Sequence, residues 1–153
     1  MRKVFVLAVV ALAAVTVTVA AHGSTTKSKQ VVVSTRNVKG LGTILVNAQG
    51  RTLYMFVPDK QKKVTCTGVC AQVWPPLKAA KGDTLVAKGA AQKKLLGMDK
   101  NPSGGYVVTY AKWPLYTYVS DTKPGDVTGQ GLNSTGGLWY ALSPAGKVIK
   151  TRM

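Results

Sequence analysis

Apolar and polar positions alternate in two stretches of this chain that match one another at an offset of 62 residues: Leu53-Tyr54-Met55-Phe56-Val57-Pro58-Asp59 and Leu115-Tyr116-Thr117-Tyr118-Val119-Ser120-Asp121. A period of two puts Tyr54 and Phe56 on one face of a strand and Leu53, Met55 and Val57 on the other, and Tyr116 and Tyr118 repeat the arrangement. Ahead of each stretch lies a second run, Ile44-Leu45-Val46-Asn47 and Tyr106-Val107-Val108-Thr109-Tyr110, whose β-branched and aromatic residues suit a pleated, half-buried surface. At the same offset Ile44 to Asn47 fall against Tyr106 to Thr109 and Gly42 against Gly104, while Ala48-Gln49-Gly50-Arg51 and Ala111-Lys112 supply the reversals. Each copy is therefore predicted to be a β-hairpin that ends on an Asp. Further on, the offset grows to 63 at Val64-Thr65 against Val127-Thr128 and to 65 where Trp74 meets Trp139, which places the insertions after the hairpin. Such internal self-similarity makes the repeat the folding unit and requires each copy to bury its apolar face against a partner surface.

The rest of the chain frames these copies. Met1-Arg2-Lys3 caps the apolar run Val4 to Val19, broken only by Thr16 and Thr18, which reads as an export signal cleaved after Ala21 so that the mature chain begins at His22. No Cys follows the run, so a lipobox anchor is not expected; an uncleaved anchor is the alternative, since Val4 to Ala21 is about 18 residues, near the lower limit for a span. Residues 22–30 are polar and small and read as a flexible tether. Val31 to Thr35 reads as a strand, Lys39-Gly40-Leu41-Gly42 as a turn, and Trp139 to Leu142, Ser143-Pro144-Ala145-Gly146 and Lys147-Val148-Ile149 as a closing hairpin. Between the copies, Lys78 to Lys100 mixes Gly, Ala and Lys, with a helical turn or two expected at Ala90 to Leu96. The expected fold is all-β and mainly antiparallel, a duplicated hairpin repeat (about 42–77 and 104–149) forming one small β domain over 31–153.

Candidate chemistry is sparse. Asp59 and Asp121 close their strands before turn-prone stretches, where an Asp can accept from backbone N–H groups two residues on and fix an Asx turn. A metal role is disfavoured, because hard cations take about 6–8 oxygen ligands and few carboxylates lie near. The aromatic side chains are expected to pack in the core; the alternative is a stacking platform for a ligand, with Trp74, Trp113 and Trp139 as its candidates. Cys66 and Cys70 are the only cysteines. A short helix capped by Thr65 or Thr67 and stopped by Pro75-Pro76 would put them one turn apart, about 6 Å between Cα atoms and within reach of a disulfide. An even count in an exported chain argues for the bridge; the alternative is a dithiol that holds Cu(I) or carries redox chemistry. Copy two replaces this segment by the Gly-rich Val127 to Gly137, which lacks the Gly-Lys-Ser/Thr ending and following helix of a phosphate-binding loop.

These residues resemble a bacterial family of secreted repeats of unknown function, lipoprotein-type, marked by Tyr-x-(Phe/Trp/Tyr)-x-x-Asp. The motif stands at Tyr54, Phe56 and Asp59 and again at Tyr116, Tyr118 and Asp121; Cys66, Cys70 and Trp74-Pro75-Pro76-Leu77 resemble its cysteine element. Trp113-Pro114-Leu115-Tyr116 with Gly125, Gly129, Gln130, Gly131, Trp139 and Pro144 resemble its second half. The resemblance implies export and a duplicated β-rich module, and it brings no activity with it.

Charge is the remaining global clue. Without Arg2 and Lys3 the chain holds 19 basic residues against five Asp and no Glu, a net charge of +14. The lysines are scattered from Lys27 onward and form no nucleic-acid motif, so in an exported protein anionic wall polymers or lipid headgroups are the expected partners; a solvated surface selected for solubility is the alternative. His22 is the sole imidazole, so neither a Ser-His-Asp nor a Cys-His set can form in the folded part, and no Glu is available as a raised-pKa acid. The expected function is a non-catalytic envelope or extracellular module in a bacterium, without a cofactor and with no transmembrane span in the mature chain. A copper or redox accessory protein using Cys66 and Cys70 is the alternative.

Overall fold

Two antiparallel hairpins, one per repeat, start the architecture in the computed structural model, which describes residues 28–61 and 63–151. The expected export signal and His22 lie outside the described residues. In the first hairpin β1 (Gln30–Val38) runs against β2 (Gly42–Asn47), from Val33↔Asn47 to Val38↔Gly42. The turn between them has Gly40 and Gly42 at φ 86° and 77°, a region that glycine enters without a Cβ penalty. After β2 come β3 (Tyr54–Phe56), the short helix α1 (Val69–Val73), β4 (Lys78–Ala79), β5 (Thr84–Ala87) and a 3-10 turn at Lys93–Leu95. The second hairpin pairs β6 (Leu96–Lys100) with β7 (Tyr106–Tyr110), from Leu96↔Tyr110 to Lys100↔Tyr106. The chain ends with β8 (Trp113–Pro114), β9 (Asn133–Ser134) and β10 (Gly137–Ala141). The fold is all-β and mainly antiparallel, as the alternation predicts.

The two repeats then exchange their last strands. β3 takes β10 as its antiparallel partner, with Trp139↔Phe56, Tyr140↔Met55 and Ala141↔Tyr54. In the other direction the Tyr116 segment takes residues from copy one: Leu77 N–H donates to Leu115 O at 2.8 Å, Thr117 N–H to Pro75 O at 2.9 Å and Val119 N–H to Val73 O at 3.2 Å. Between these pairs, Tyr54 and Tyr116 donate their N–H groups to one another's carbonyls at 2.8 and 2.9 Å, so a local two-fold axis passes between them. The exchange extends to the hairpins, where Val108 N–H donates to Leu77 O at 2.8 Å and Leu45 N–H to Leu142 O at 3.0 Å.

Five expectations change in detail. The strands flanking Ala48 to Arg51 meet only near the turn, at the bridge Val46↔Thr52, and β3 then leaves for β10 because the swapped strand offers a full ladder. The first strands match at an offset of 63, not 62: Val46 pairs with Thr52 where Thr109 pairs with Pro114. The cause is the turn, since copy two reverses through only Ala111 and Lys112, at φ 48° and 72°, in the two-residue geometry whose twist fits a hairpin. Each repeat also opens one strand earlier than expected, with β1 and β6. β5 pairs in parallel with β1, from Gln30↔Thr84 to Val33↔Ala87, in a stretch whose Gly, Ala and Lys content carries no strand signal. Finally, α1 has Gly68 at its N-cap and no side-chain cap, because Thr65 is engaged elsewhere.

The period of two decides the core. Leu53, Met55 and Leu115 join Val33, Leu45, Val108 and Leu142 in one buried cluster. On the opposite face Tyr54, Phe56 and Tyr116 join Ile44, Val46, Trp74 and Trp139 in another. The central strands are therefore buried on both sides, which is why β3 carries no polar residue.

Candidate functional site

The motif residues meet in two reciprocal latches across the two-fold axis. Tyr54 Oη donates to Asp121 Oδ2 at 2.7 Å, and Tyr116 Oη donates to Asp59 Oδ2 at 2.5 Å. The other oxygen of each carboxylate stays within its own repeat: Asp59 Oδ1 accepts from Thr65 N–H at 2.7 Å and Thr65 Oγ1, and Asp121 Oδ1 accepts from Thr128 N–H at 2.9 Å and Thr128 Oγ1 at 2.6 Å. Gly129 N–H adds a bond to Tyr54 Oη at 3.3 Å. Asp59 and Asp121 are 0% and 1% exposed, so these bonds replace water around both carboxylates. The Asx turns expected of them do not form; each Asp instead reaches six or seven residues along its own chain and across to the other repeat. Burial raises the Asp59 pKa against the opposing pull of Thr65 and Tyr116. Burial, then the carboxylate acceptor, pushes both phenols well above the ordinary tyrosine value.

Beside the latches four rings stack in a row. Phe56 lies on Trp139 at 4.2 Å between centroids, Trp139 on Trp74 at 3.9 Å and Trp74 on Tyr118 at 4.1 Å, so neighbours alternate between repeats at every step of the row. Tyr54 and Tyr116 meet Trp74 and Trp139 edge-on at 5.5 and 5.3 Å. Trp74 and Trp139 are fully buried and Trp113 packs at the rim of the other cluster, so the three tryptophans do not form a shared platform open to a ligand. Trp139 Nε1 donates to Ser134 O at 3.1 Å, whereas Trp74 Nε1 has no partner among the described residues. In copy two the short strand β9 presents that carbonyl; copy one has α1 there, whose carbonyls are directed along the helix.

A family model described as a secreted repeat of unknown function matches the chain twice, over residues 35–78 and 97–143. The chain belongs to this family of secreted repeats. No curated protein and no solved structure matches it. The two matches start within β1 and β6, in agreement with the structural repeat, and the family's secreted character places this member outside the cytoplasm. Among the described residues no helix is long and apolar enough to cross a membrane.

In this secreted repeat Cys66 and Cys70 are joined in a disulfide with Cα atoms 5.2 Å apart; Cys66 precedes α1 and Cys70 lies within it. A bonded pair presents no thiolate, the form that copper binding or thiol exchange requires. Thr135 Oγ1 of copy two lies 3.3 Å from Cys70 Sγ, so the cystine borders the other repeat. The counterpart of Cys66 is Gly129, next to the latch Thr. A Cβ there would stand 2.7 Å from Trp74 Cη2 and 3.0 Å from Tyr54 Cζ, so copy two cannot carry a side chain at that position without moving the rings.

Sequence reasoning named Thr65 as a helix cap and Thr128 and Gly129 only as matched positions, and assigned none of the three to the Asp and Tyr of the latches. Their signal was the matched Val64-Thr65 and Val127-Thr128, which follow the two Asp at nearly constant distance. The remaining carboxylates are also engaged by the backbone: Asp83 accepts from Ala80 and Lys29 N–H at 2.8 and 3.0 Å, Asp126 from Thr122 and Lys123 N–H at 2.8 Å each, and Asp99 from Lys100 N–H at 2.9 Å. The Ala80 and Lys123 N–H groups lead the effects that lower the pKa values of Asp83 and Asp126.

Proposed function

We propose that this secreted repeat is a non-catalytic envelope or extracellular module that holds anionic envelope polymers through its basic surface. The observation that carries the reading is the fate of the acids: all five Asp accept hydrogen bonds from backbone N–H or hydroxyl groups. Outside the expected export signal 19 basic residues stand against these five acids, so most of the cations have no carboxylate side chain to pair with. A net +14 creates a positive field that attracts polyanions. The buried Tyr–Asp latches favour a scaffold role over catalysis, since both carboxylates are enclosed and fully bonded.

The test is binding of the mature chain to a teichoic-acid-like polymer as salt is raised. The Debye length falls from about 10 Å at 0.1 M to about 3 Å at 1 M, so near-complete release is expected over that range. Absence of binding at low salt contradicts the proposal. Binding that survives 1 M salt and is lost in Trp113→Ala replaces it with an aromatic ligand site.

A further inference from the structure

The ring row and the two latches form one contact network. Along the row Phe56, Trp139 and Trp74 are buried, and Tyr118, stacked on Trp74 at 4.1 Å, is the ring that reaches solvent. Phe56 closes the buried end, and its benzene ring gives up an electron far less readily than an indole or a phenol, so the row has one outlet. The two indoles between them lie 3.9 Å apart with planes 2° from parallel, close enough to share a positive charge. Tyr54 meets Trp74 edge-on at 5.5 Å, and Tyr116 meets Trp139 at 5.3 Å.

The protons of these groups decide what an oxidised row can do. An indole that loses an electron becomes a cation, and burial makes that charge costly. Trp74 Nε1 has no acceptor among the described residues, and Trp139 Nε1 donates to the Ser134 carbonyl, too weak a base to take a proton. Neither indole can therefore shed its charge by deprotonation in place. Each latch phenol can, because its hydroxyl already donates to a carboxylate: Tyr54 to Asp121 at 2.7 Å and Tyr116 to Asp59 at 2.5 Å. Burial also raises the Asp59 pKa, so this carboxylate takes a proton more readily than one in water.

We infer that the row and its latches are a one-electron store that discharges small radical oxidants of the peroxyl class at the surface through Tyr118. A peroxyl radical takes the phenolic hydrogen atom of Tyr118 and leaves as the hydroperoxide. The Tyr118 phenoxyl radical then takes an electron from Trp74 and a proton from water, and Tyr54 or Tyr116 refills the indole pair. As that phenol gives up its electron, its O–H bond breaks and the proton moves along the hydrogen bond to Asp121 or Asp59. A neutral phenoxyl radical is left beside a neutral carboxylic acid, both buried. An external thiolate or hydroquinone returns the electron, and the proton goes back to the phenol. This function is separate from polymer holding, since it uses none of the surface lysines.

The experiment uses the mature chain carrying Tyr106→Phe and Trp113→Phe as its reference, because these are the part-exposed oxidisable rings outside the row. Ruthenium(III) tris-bipyridine generated by a laser flash is the oxidant, and transient absorption with freeze-quenched electron paramagnetic resonance reads indole and phenoxyl radicals. Thermal melts verify that each variant is folded. The expected result is an indole radical that converts to a persistent phenoxyl radical. That conversion is slowed in deuterium oxide and indifferent to buffer-base concentration, because the proton acceptor is internal. Adding Tyr118→Phe is expected to remove most of the phenoxyl yield, and adding Tyr54→Phe with Tyr116→Phe to leave the indole radical in its place. An undiminished phenoxyl yield in either variant overturns the inference. So does a conversion in the reference chain that accelerates with buffer base, a result that stands even where the double latch variant does not fold. Peroxyl radicals from a thermal azo initiator should be consumed faster by the reference chain than by its Tyr118→Phe variant; equal consumption overturns the assignment of the oxidant.

Discussion

Replacing Tyr54 by Phe removes one hydroxyl from the interior and leaves Asp121 Oδ2 without its donor from the other repeat. An unsatisfied buried acceptor costs about 1–3 kcal/mol, and more when it is charged. Tyr54→Phe is therefore expected to lower the urea-unfolding free energy by at least about 1 kcal/mol. Adding Asp121→Asn should cost less than the sum of the two single changes, because both act on one bond. Fully additive losses would show that the latch is not a coupled pair. The phenols also make stability depend on pH. Their folded pKa values are raised above the ordinary value of about 10, so the folded state keeps protons that the unfolded state releases. That contribution is fully present below about pH 10 and is lost as pH rises beyond it. Absorbance near the tyrosinate band should show two phenols ionising only as the protein unfolds. Ionisation of all tyrosines in a still-folded chain would refute this.

At the scale of elements, the cystine closes a short loop between the Asp59 latch and Trp74. Cross-linking so short a loop stabilises by roughly 2 kcal/mol on the chain-entropy estimate. The double change Cys66→Ser and Cys70→Ser is expected to lower the urea-unfolding free energy by about that amount without changing the fold, as followed by near-UV circular dichroism of the stacked tryptophans. A loss several times larger would mean that the cystine organises the ring stack and not merely its loop. The elements also show where sequence reading stops. Alternation in Leu53 to Phe56 identified both faces of β3 correctly, because a period of two follows from strand geometry alone, whereas Val57, placed with Leu53 and Met55, is exposed. It could not say that the partner of β3 lies at Gly137–Ala141, since periodicity assigns faces and leaves neighbours open. The one-residue difference between turns was hidden because Ile44 to Val46 and Val107 to Thr109 are apolar or β-branched at every position, so either register matched equally well. Strands of two residues, such as β4 and β9, are too short to carry a pattern.

For the whole molecule, exchanged strands, reciprocal latches and a ring stack shared by both repeats have one consequence: neither repeat contains its own interior. Copy one without copy two leaves Asp59 without Tyr116, β3 without β10 and Trp74 without Trp139. The interdependence was legible as a duplication whose copies need each other's surface, and the site was legible as Tyr, aromatic and Asp at fixed spacing. That Tyr and Asp pair across the copies was not, because contacts 57 and 67 residues apart leave no local mark. The most direct measurement divides the chain at the exposed turn after Ala90 and follows the thermal unfolding of 28–90, of 91–151 and of their equimolar mixture. The account predicts no cooperative transition in either monomeric piece and a single cooperative transition, with the near-UV signal of the stacked tryptophans restored, in the mixture. A monomeric 28–90 fragment that melts as cooperatively as the whole chain would contradict it.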